Sequence, residues 1–467
     1  MKKRLISPYT SVDLFYFFTL VVTIAAGGTA ACSVLREQEI LAGFIEGDIL
    51  VLYGDMCLGL APLAASLLAW RVWMASCYRP VPPAPDGELP MTTIVIPAYN
   101  EGRQVLATIR SVMASDYPAH KMQVICVDDG SRDDTWQWMR QAATEFPGRV
   151  RLVRQPRNMG KRHALLAGFR QARGTVFVTL DSDSEVLTDT LRHLVSPMVH
   201  SPKVGAVGGN VRVLNVEDGP IPRMLDVSFT MSFDFLRRAQ SVYGGVLCTP
   251  GALSAYRASV IVPVLRRWAE QTFLGRPAKI GEDRALSNVV LGRGYRVVYQ
   301  KRAVVLTKIP DAYRGLSKML LRWARSNVRE CLVMAGFLYG RFRRGDSGSG
   351  WLRLAGTLEL VFLPLTEALK FALLLNLLFH PLVTFRVMLL GCAVSAILPA
   401  IIYQSRQRGF YAYKWAFSYA IFWVMGLFWI SSWGLCSAGC SGWLTRGLGV
   451  QPARVALAAV KEHPGVG

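Results

Sequence analysis

The sequence predicts a multi-pass membrane protein in which an α/β domain with a mostly parallel sheet is inserted between transmembrane helices. Its 467 residues are 52% hydrophobic and have a positive mean hydropathy, which is more apolar than an ordinary soluble enzyme. Apolar segments long enough to cross a membrane lie near both ends. Between them, continuous apolar strands alternate with amphipathic helices, which is typical of a parallel sheet covered on both faces.

Two apolar segments open the chain and predict a transmembrane hairpin over residues 1–79. Residues 14–35 and 49–75 are each long enough to cross a hydrocarbon core of about 30 Å. A cleavable signal peptide is the alternative for the first segment. The link between the two segments is acidic, whereas Arg71 and Arg79 lie at the end of the second. The positive-inside rule therefore predicts that both ends of the hairpin are cytoplasmic.

Residues 80–91 are rich in proline and predict a stiff linker before a domain at 92–312. Within this domain, strands are predicted at 93–97, 123–128, 150–154, 176–180 and 205–213. Helices are predicted at 103–114, 133–145, 161–172, 188–200 and 223–241. Ligands of such a sheet bind at the carboxyl ends of its strands.

Residues 313–350 predict amphipathic interface helices and a glycine-rich connector. Basic residues recur at helical spacing over 313–331, which is typical of a helix at a membrane surface; a solvated charged helix is the alternative. These residues are Lys318, Arg322, Arg325 and Arg329.

Residues 351–436 predict C-terminal membrane helices, followed by a cytoplasmic segment at 437–467. Spans are predicted at 354–379 and 382–403, and residues 415–435 form either another span or an interfacial helix. Glu359, Glu367 and Lys370 are ionisable residues at membrane depth, so the first span is predicted to line a polar pathway. The alternative is that Glu367 and Lys370 pair with each other as an i, i+3 pair.

The net charge of +21 is mostly accounted for by the predicted cytoplasmic loops and the membrane face, so nucleic acid is not an expected partner. The six histidines and nine cysteines lack zinc-binding spacing. We therefore predict free thiols and no structural zinc.

Candidate binding residues follow the ends of successive predicted strands. They are Ala98, Tyr99 and Glu101 after the first, Asp128 and Asp129 after the second, Lys161 and Arg162 at the helix after the third, and Asp181 and Asp183 after the fourth. The two cations at a helix start favour phosphate. The two carboxylates at i and i+2 can share one hard divalent cation, and the alternative is a turn that they merely cap.

Residues 92–331 resemble the processive, membrane-embedded family 2 glycosyltransferases, which include hyaluronan, cellulose, chitin and rhizobial chito-oligosaccharide synthases. The motifs that carry the resemblance are Asn-x-Gly-Lys-Arg-His-Ala at 158–164, Val-Gly-Gly-Asn-Val-Arg-Val at 207–213, Pro-Gly-Ala-Leu-Ser-Ala-Tyr-Arg at 250–257, Gly-Glu-Asp-Arg at 281–284 and Arg-Trp-Ala-Arg-Ser at 322–326. The resemblance implies a GT-A-type domain, a UDP-sugar donor and a growing polysaccharide as acceptor. It also implies an inner (plasma) membrane enzyme with a cytoplasmic catalytic domain, which exports the product through its own helices.

The resemblance also implies roles for individual residues. Asp128 and Asp129 would hold the uridine, and Asp181 and Asp183 would hold the diphosphate through Mg²⁺ or Mn²⁺, with Lys161 and Arg322 as further phosphate contacts. Asp283, beside Glu282, would be the general base of an inverting displacement. The acceptor site would be formed by Trp323, Gly251 and Arg284. From the residues alone, the preferred interpretation of 281–284 is a helix N-terminus, at which acidic side chains favour the dipole.

The sequence departs from the family pattern at three places. Met319 stands where relatives have Gln, and Asn210 stands where hyaluronan synthases usually have Asp. Residues 442–446 resemble a nucleotide-contacting Trp-Gly-Thr-Arg loop in a changed order, so Arg446 is either a diphosphate contact or a juxtamembrane arginine. The alternatives for function are a glycosyltransferase acting on a membrane lipid such as polyprenyl phosphate, and an inactive scaffold subunit. The sequence is also compatible with a homo-oligomer or with export partner proteins.

Overall fold

The computed structural model describes residues 48–340, 342–343, 345–405 and 412–440. The predictions for residues 14–35 and for Arg446 lie outside these residues. The first described element is helix α1 (Asp48–Cys77), where the second apolar segment was predicted to form a span.

An eight-stranded sheet organises the chain between residues 92 and 307. Its strands are β1 (Thr92–Ala98), β2 (Met122–Asp128), β3 (Val150–Arg154), β4 (Val176–Leu180), β5 (Ser184–Val186), β6 (Val204–Val213), β7 (Leu253–Arg257) and β10 (Arg296–Thr307), while β8 (Thr272–Phe273) and β9 (Arg276–Pro277) form a separate hairpin. The order is β3-β2-β1-β4-β7-β6-β10-β5. Strands β3, β2, β1 and β4 are parallel neighbours, as are β6 and β10, whereas β7 and β5 run antiparallel. The prediction of a mostly parallel sheet is confirmed.

Helices cover both faces of the sheet, so the apolar strands are buried between two cores. They are α2 (Gln104–Met113), α3 (Thr135–Glu145), α4 (Lys161–Phe169), α5 (Thr190–His200), α6 (Pro220–Phe229), α7 (Leu236–Val242), α8 (Ala258–Ile261), α9 (Leu265–Ala269) and α10 (Glu282–Gly292). A π-helical segment, Thr230–Phe235, interrupts the single helix predicted at 223–241.

Helix α11 (Tyr313–Leu338) packs between α10 of this domain and the apolar C-terminal helices. The basic residues on it predicted a surface helix, but Arg325 and Arg329 are buried. Arg325 donates to Ser437 Oγ at 2.9 Å, and Arg329 pairs with Glu330. The helix is therefore a packed element, because internal partners satisfy these two guanidinium groups.

Three helical segments follow: α12 (Gly348–Phe379), α13 (Pro381–Gln404), and the bent pair α14 (Ala412–Phe422) and α15 (Trp429–Cys436). Within the described part of the chain, α13 is long and apolar enough to cross a membrane, and residues 412–436, bent by 48°, make a second candidate if counted as one span. Glu367 and Lys370 of α12 form an ion pair at 2.8 Å, which confirms the i, i+3 pair given as the alternative prediction for this helix. The predicted larger number of spans remains a prediction.

Candidate active site

The carboxyl ends of β1 and β2 form one wall of a cleft. Ala98, Tyr99, Asp129 and Lys161 line this cleft together, as their positions in the sequence predicted. Asp129 accepts hydrogen bonds from the backbone N–H groups of Met159 and Gly160, at 2.8 and 2.9 Å. One carboxylate therefore holds the loop that precedes α4 against the end of β2.

Two of the predicted nucleotide residues mainly shape this wall. The Asp128 carboxylate is buried, accepts from Ser131 N at 2.9 Å and lies 3.2 Å from Arg154 Nε. The backbone N–H of Glu101 donates to Thr135 Oγ1 at 2.8 Å. These contacts fix the turns that follow β2 and β1.

A lysine that lines this cleft joins two carboxylates. Lys161 Nζ lies 2.5 Å from Asp181 Oδ1 and 2.7 Å from Glu282 Oε1, and its side chain is 9% exposed. Lys161 opens α4, Asp181 follows β4 and Glu282 opens α10, so three separate segments meet at one ammonium group. A Cβ added to Gly251 would lie 3.1 Å from Lys161 Nζ and 3.3 Å from Asp283 Oδ2. The Gly251 backbone therefore approaches the cluster closely, and Asp283 belongs to it.

The two neighbouring acidic residues have opposite pKa shifts. Burial raises the pKa of Asp283 and the charge of Glu282 raises it further, to about 6. Burial also acts to raise the pKa of Glu282, but the charge and hydrogen bond of Lys161 outweigh it and lower the pKa to about 2. Near neutral pH both groups are ionised, and Asp283 is the more basic of the two. This is the property that a general base requires.

Asp181 and Asp183 are the candidate ligands for a divalent ion. Asp183 Oδ1 accepts from Ser184 Oγ at 3.2 Å and from Thr307 Oγ1 at 3.5 Å, so β5 and β10 orient it. No group of three or more metal-binding side chains occurs among the residues that the structure describes. A pair of hard oxygen ligands suits Mg²⁺ or Mn²⁺ when phosphate oxygens and water complete the coordination. The donor set therefore fits a metal that binds together with a diphosphate.

Helix α11 contacts the turn that carries the acidic pair. Gly281 has a φ of +68°, and a Cβ at this position would lie 1.7 Å from Ser326 Oγ. The position consequently requires glycine both for its left-handed backbone and for the close approach of α11. Helix α10 begins at Glu282, so the helix N-terminus expected from the residues alone is present, and the role of Asp283 as base stays a prediction.

Arg322 and Trp323 lie on the same helix. The positive charge of Arg322 contributes to the lowered pKa of Glu282, so Arg322 lies within electrostatic reach of the cluster. The Trp323 ring is 38% exposed and lies 6.1 Å from both Phe229 and Phe233, centroid to centroid. These rings orient a partly exposed aromatic surface.

Two predictions for arginines are corrected. Arg162 is buried, and its guanidinium donates to the backbone carbonyls of Trp268 and Ile280, at 2.9 and 3.1 Å, so it does not line the cleft. Arg284 was predicted to contact the acceptor, but it pairs with Glu359 of α12 at 2.6 Å. Both arginines join segments of the fold.

The chain matches the family model described as Glycosyl transferase family 2 over residues 93–264. It is 30% identical over 371 residues to an N-acetylglucosaminyltransferase of Rhizobium leguminosarum bv. viciae, an alignment that covers 78% of this chain and 84% of the relative. The chain is a family 2 glycosyltransferase.

Two further comparisons agree with this membership. A hyaluronan synthase of Streptococcus pyogenes is 33% identical over 288 residues, which cover 60% of this chain and 67% of the synthase. A mannosyltransferase of Pyrobaculum calidifontis, solved in complex with GDP-Man and Mn²⁺, superimposes with a TM-score of 0.54 at 23% identity, over 79% of this chain and 97% of the other. The second comparison shows that the family 2 chain shares the fold of a known glycosyltransferase.

In this family 2 chain, two departures from the family pattern lie in packed regions. Asn210 is buried in β6 and donates to Lys301 O at 3.0 Å, while Met319 packs in the hydrophobic core. Sequence reasoning missed the contact of Ser326 with Gly281 and the packing of Phe229 and Phe233 on Trp323. The i, i+4 spacing of the two phenylalanines was the available signal.

Proposed function

We propose that this family 2 glycosyltransferase transfers a sugar from a UDP-sugar to a growing β-linked polysaccharide, of a chitin-like or hyaluronan-like kind, and inverts the anomeric centre. The observation that carries the proposal is the contact of α11 with the turn before Asp283. Through this contact, the helix that carries Arg322 and Trp323 packs directly against the turn before Glu282 and Asp283. The names of the relatives, N-acetylglucosaminyltransferase and hyaluronan synthase, support the sugar class.

Asp283 is proposed as the general base. It takes the proton of the acceptor hydroxyl while that oxygen bonds to the anomeric carbon, and the bond from this carbon to the diphosphate oxygen breaks on the opposite face. UDP leaves with the bonding electron pair. Asp283 is suited to this step because its pKa of about 6 leaves it ionised but still basic near neutral pH.

Lys161 and Arg322 are proposed to neutralise the negative charge of the leaving UDP. Burial acts to lower the pKa of Lys161, but the carboxylates of Asp181 and Glu282 outweigh it and raise the pKa, so the ammonium stays charged. Asp181 and Asp183 would hold Mg²⁺ or Mn²⁺, which supplies further positive charge to the diphosphate when bound. The ring of Trp323 would bind a face of the acceptor sugar.

The enzyme is proposed to work at the inner (plasma) membrane, with its sheet domain in the cytoplasm. Helix α13 and the bent pair α14 and α15 supply candidate spans. Between α12 and α15, Ser432 Oγ donates to Glu367 Oε2 at 2.5 Å, and Lys370 Nζ donates to Ser431 Oγ. These side chains satisfy one another between the two helices, so export of the polymer through the helices is proposed from the resemblance to the processive synthases alone.

The test is synthesis by the purified full-length protein. Radiolabelled UDP-glucose, UDP-N-acetylglucosamine and UDP-glucuronate are supplied singly and in pairs, with Mg²⁺ or Mn²⁺, and the products are digested with linkage-specific hydrolases. Release of UDP together with long β-linked chains is expected. Addition of single sugars to polyprenyl phosphate would instead identify a lipid glycosyltransferase, and the absence of any turnover would favour an inactive subunit.

A further inference from the structure

Two buried arginines hold the peptide segment that precedes the acidic pair. Arg162 Nη2 donates to Ile280 O at 3.1 Å and to Gly281 O at 3.3 Å. Arg329 Nη2 donates to the same Ile280 carbonyl. The two side chains come from two separate helices, α4 and α11, and each arginine is 1% exposed. The carbonyls of two consecutive residues are thus held by side chains of two different helices.

Glu330 lies between the two guanidinium groups and is fully buried. Its Oε1 lies 2.9 Å from Arg329 Nε and 3.9 Å from Arg162 Nη2. Gln271 Nε2 donates to Oε1 at 3.3 Å, and Asn288 Nδ2 donates to Oε2 at 3.1 Å. The network therefore joins the segments around α4, α9, α10 and α11.

Burial of three charges is a costly way to stabilise a fold. Well-packed apolar residues of similar volume often stabilise a core as well as or better than a buried ion pair or triad. What an arginine pair supplies, and apolar side chains do not, is directed hydrogen bonds to chosen carbonyl groups. The chosen carbonyls here are those of Ile280 and Gly281, directly before Glu282 and Asp283.

Helix α11 gives this arrangement a second connection to the reaction. Ser326, Arg329 and Glu330 follow Arg322 by four, seven and eight residues, so all four lie on one face of the helix. One rigid helix face thus carries the proposed leaving-group cation and holds the backbone next to the proposed base.

We propose that Arg162, Arg329 and Glu330 are positioning residues, which fix the Ile280–Gly281 backbone and so direct the Asp283 carboxylate at the acceptor hydroxyl. The inference rests on the proposed function, because it assumes that Asp283 is the base. A small misplacement of a reacting group can cost about 100-fold in rate, whereas the residues that the resemblance implies for the uridine, Asp128 and Asp129, lie at the end of β2, outside this segment. Loss of the hydrogen bonds from Arg162 or Arg329 to these carbonyls should therefore lower kcat and leave the binding of UDP intact.

The test compares Arg162→Lys and Arg329→Lys with Arg343→Lys. Arg343 is a matched control, since it is also buried and donates to the backbone carbonyls of Tyr243 and Gly244, away from the acidic pair. For each full-length variant, kcat, the donor KM, the Kd for UDP with Mg²⁺ and the melting temperature are measured. We expect kcat to fall by about tenfold or more in the first two variants, with the donor KM and the UDP Kd unchanged. Arg343→Lys should lower the melting temperature to a similar degree and keep kcat.

Retention of kcat in Arg162→Lys and Arg329→Lys, or losses equal to those of Arg343→Lys, would overturn the inference. If either lysine variant does not fold, Glu330→Gln replaces it, since this change keeps the side-chain volume and removes the charge between the arginines; normal kcat in this variant would also overturn the inference. Asp283→Asn separates failure of the proposed function from failure of the positioning role alone. An active Asp283→Asn variant would remove the base itself, whereas an inactive one beside fully active arginine variants would remove only the positioning role.

Discussion

Replacing Glu282 with Gln should extend the activity of the enzyme to lower pH. Glu282 is the second largest cause of the raised pKa of Asp283, after burial. The amide of Gln keeps the size of the side chain and removes its negative charge. Lys161, which now divides its charge between Asp181 and Glu282, would also stabilise the remaining carboxylates more strongly. Both effects lower the pKa of Asp283.

The size of this shift follows from the two causes. The pKa of Asp283 rises from 3.8 to about 6, which corresponds to roughly 3 kcal/mol in favour of the protonated form. Burial is the larger cause and remains in the variant, so the pKa of Asp283 should fall part of the way back towards 3.8. The acid limb of the rate profile should therefore move to lower pH by less than the whole rise of this pKa, and the plateau should fall modestly because a less basic carboxylate is a weaker base.

The assay is kcat/KM for the sugar donor as a function of pH, measured by UDP release from pH 5 upwards. This range is chosen because ionised Glu282, whose pKa is lowered from 4.5 to about 2, stabilises the fold above its ordinary pKa and loses this effect as the pH falls through that window. Glu270→Gln, at an exposed site, serves as the matched control. An acid limb that stays in place or moves up in Glu282→Gln would refute the assignment of Asp283 as the titrating base.

Three further changes test other parts of the site. Gly281→Ala should abolish most turnover because its methyl group meets Ser326, whereas Gly275→Ala, with a similar φ of +73° and open space, should keep normal kcat; equal losses would show that backbone strain alone matters. Asp181→Asn should raise the Mg²⁺ or Mn²⁺ concentration for half-maximal activity by about tenfold or more, in titrations after EDTA treatment, and an unchanged requirement would remove the metal role. Trp323→Ala should weaken the binding of an added oligosaccharide primer by about 1 kcal/mol. This loss would be seen as a higher primer KM and shorter products on gel filtration, with the donor KM unchanged. A normal primer KM and normal product length would contradict the proposed contact of Trp323 with the acceptor sugar.

Local sequence patterns predicted the parallel half of the sheet well. The strands at Val150–Arg154 and Val176–Leu180 coincide with the prediction, because each is a short segment rich in aliphatic residues and bounded by turn residues. Strands β7 and β10 were not predicted. Strand β10 contains Gln300, Lys301 and Arg302 within its apolar run, which obscures the pattern of a buried strand.

The motifs correctly predicted that Lys161 and Asp181 lie close together, but they predicted the wrong contacts for Arg162 and Arg284. The direction of Arg162 is set by carbonyls more than 100 residues further along the chain, and the pairing of Arg284 with Glu359 spans 75 residues. Local sequence patterns do not predict contacts between residues so far apart in the chain. Similarly, the basic spacing on α11 indicated an exposed face, and only the tertiary contacts of Arg329 show why this charge is buried.

The proposed mechanism requires Asp283 as the base for transfer of sugar onto a growing chain. The most direct measurement is UDP release and product length for Asp283→Asn beside the unaltered enzyme, with UDP binding measured on the same samples. We expect long chains from the unaltered enzyme, and no turnover with intact UDP binding in the variant. Synthesis by Asp283→Asn at a rate near that of the unaltered enzyme would contradict it.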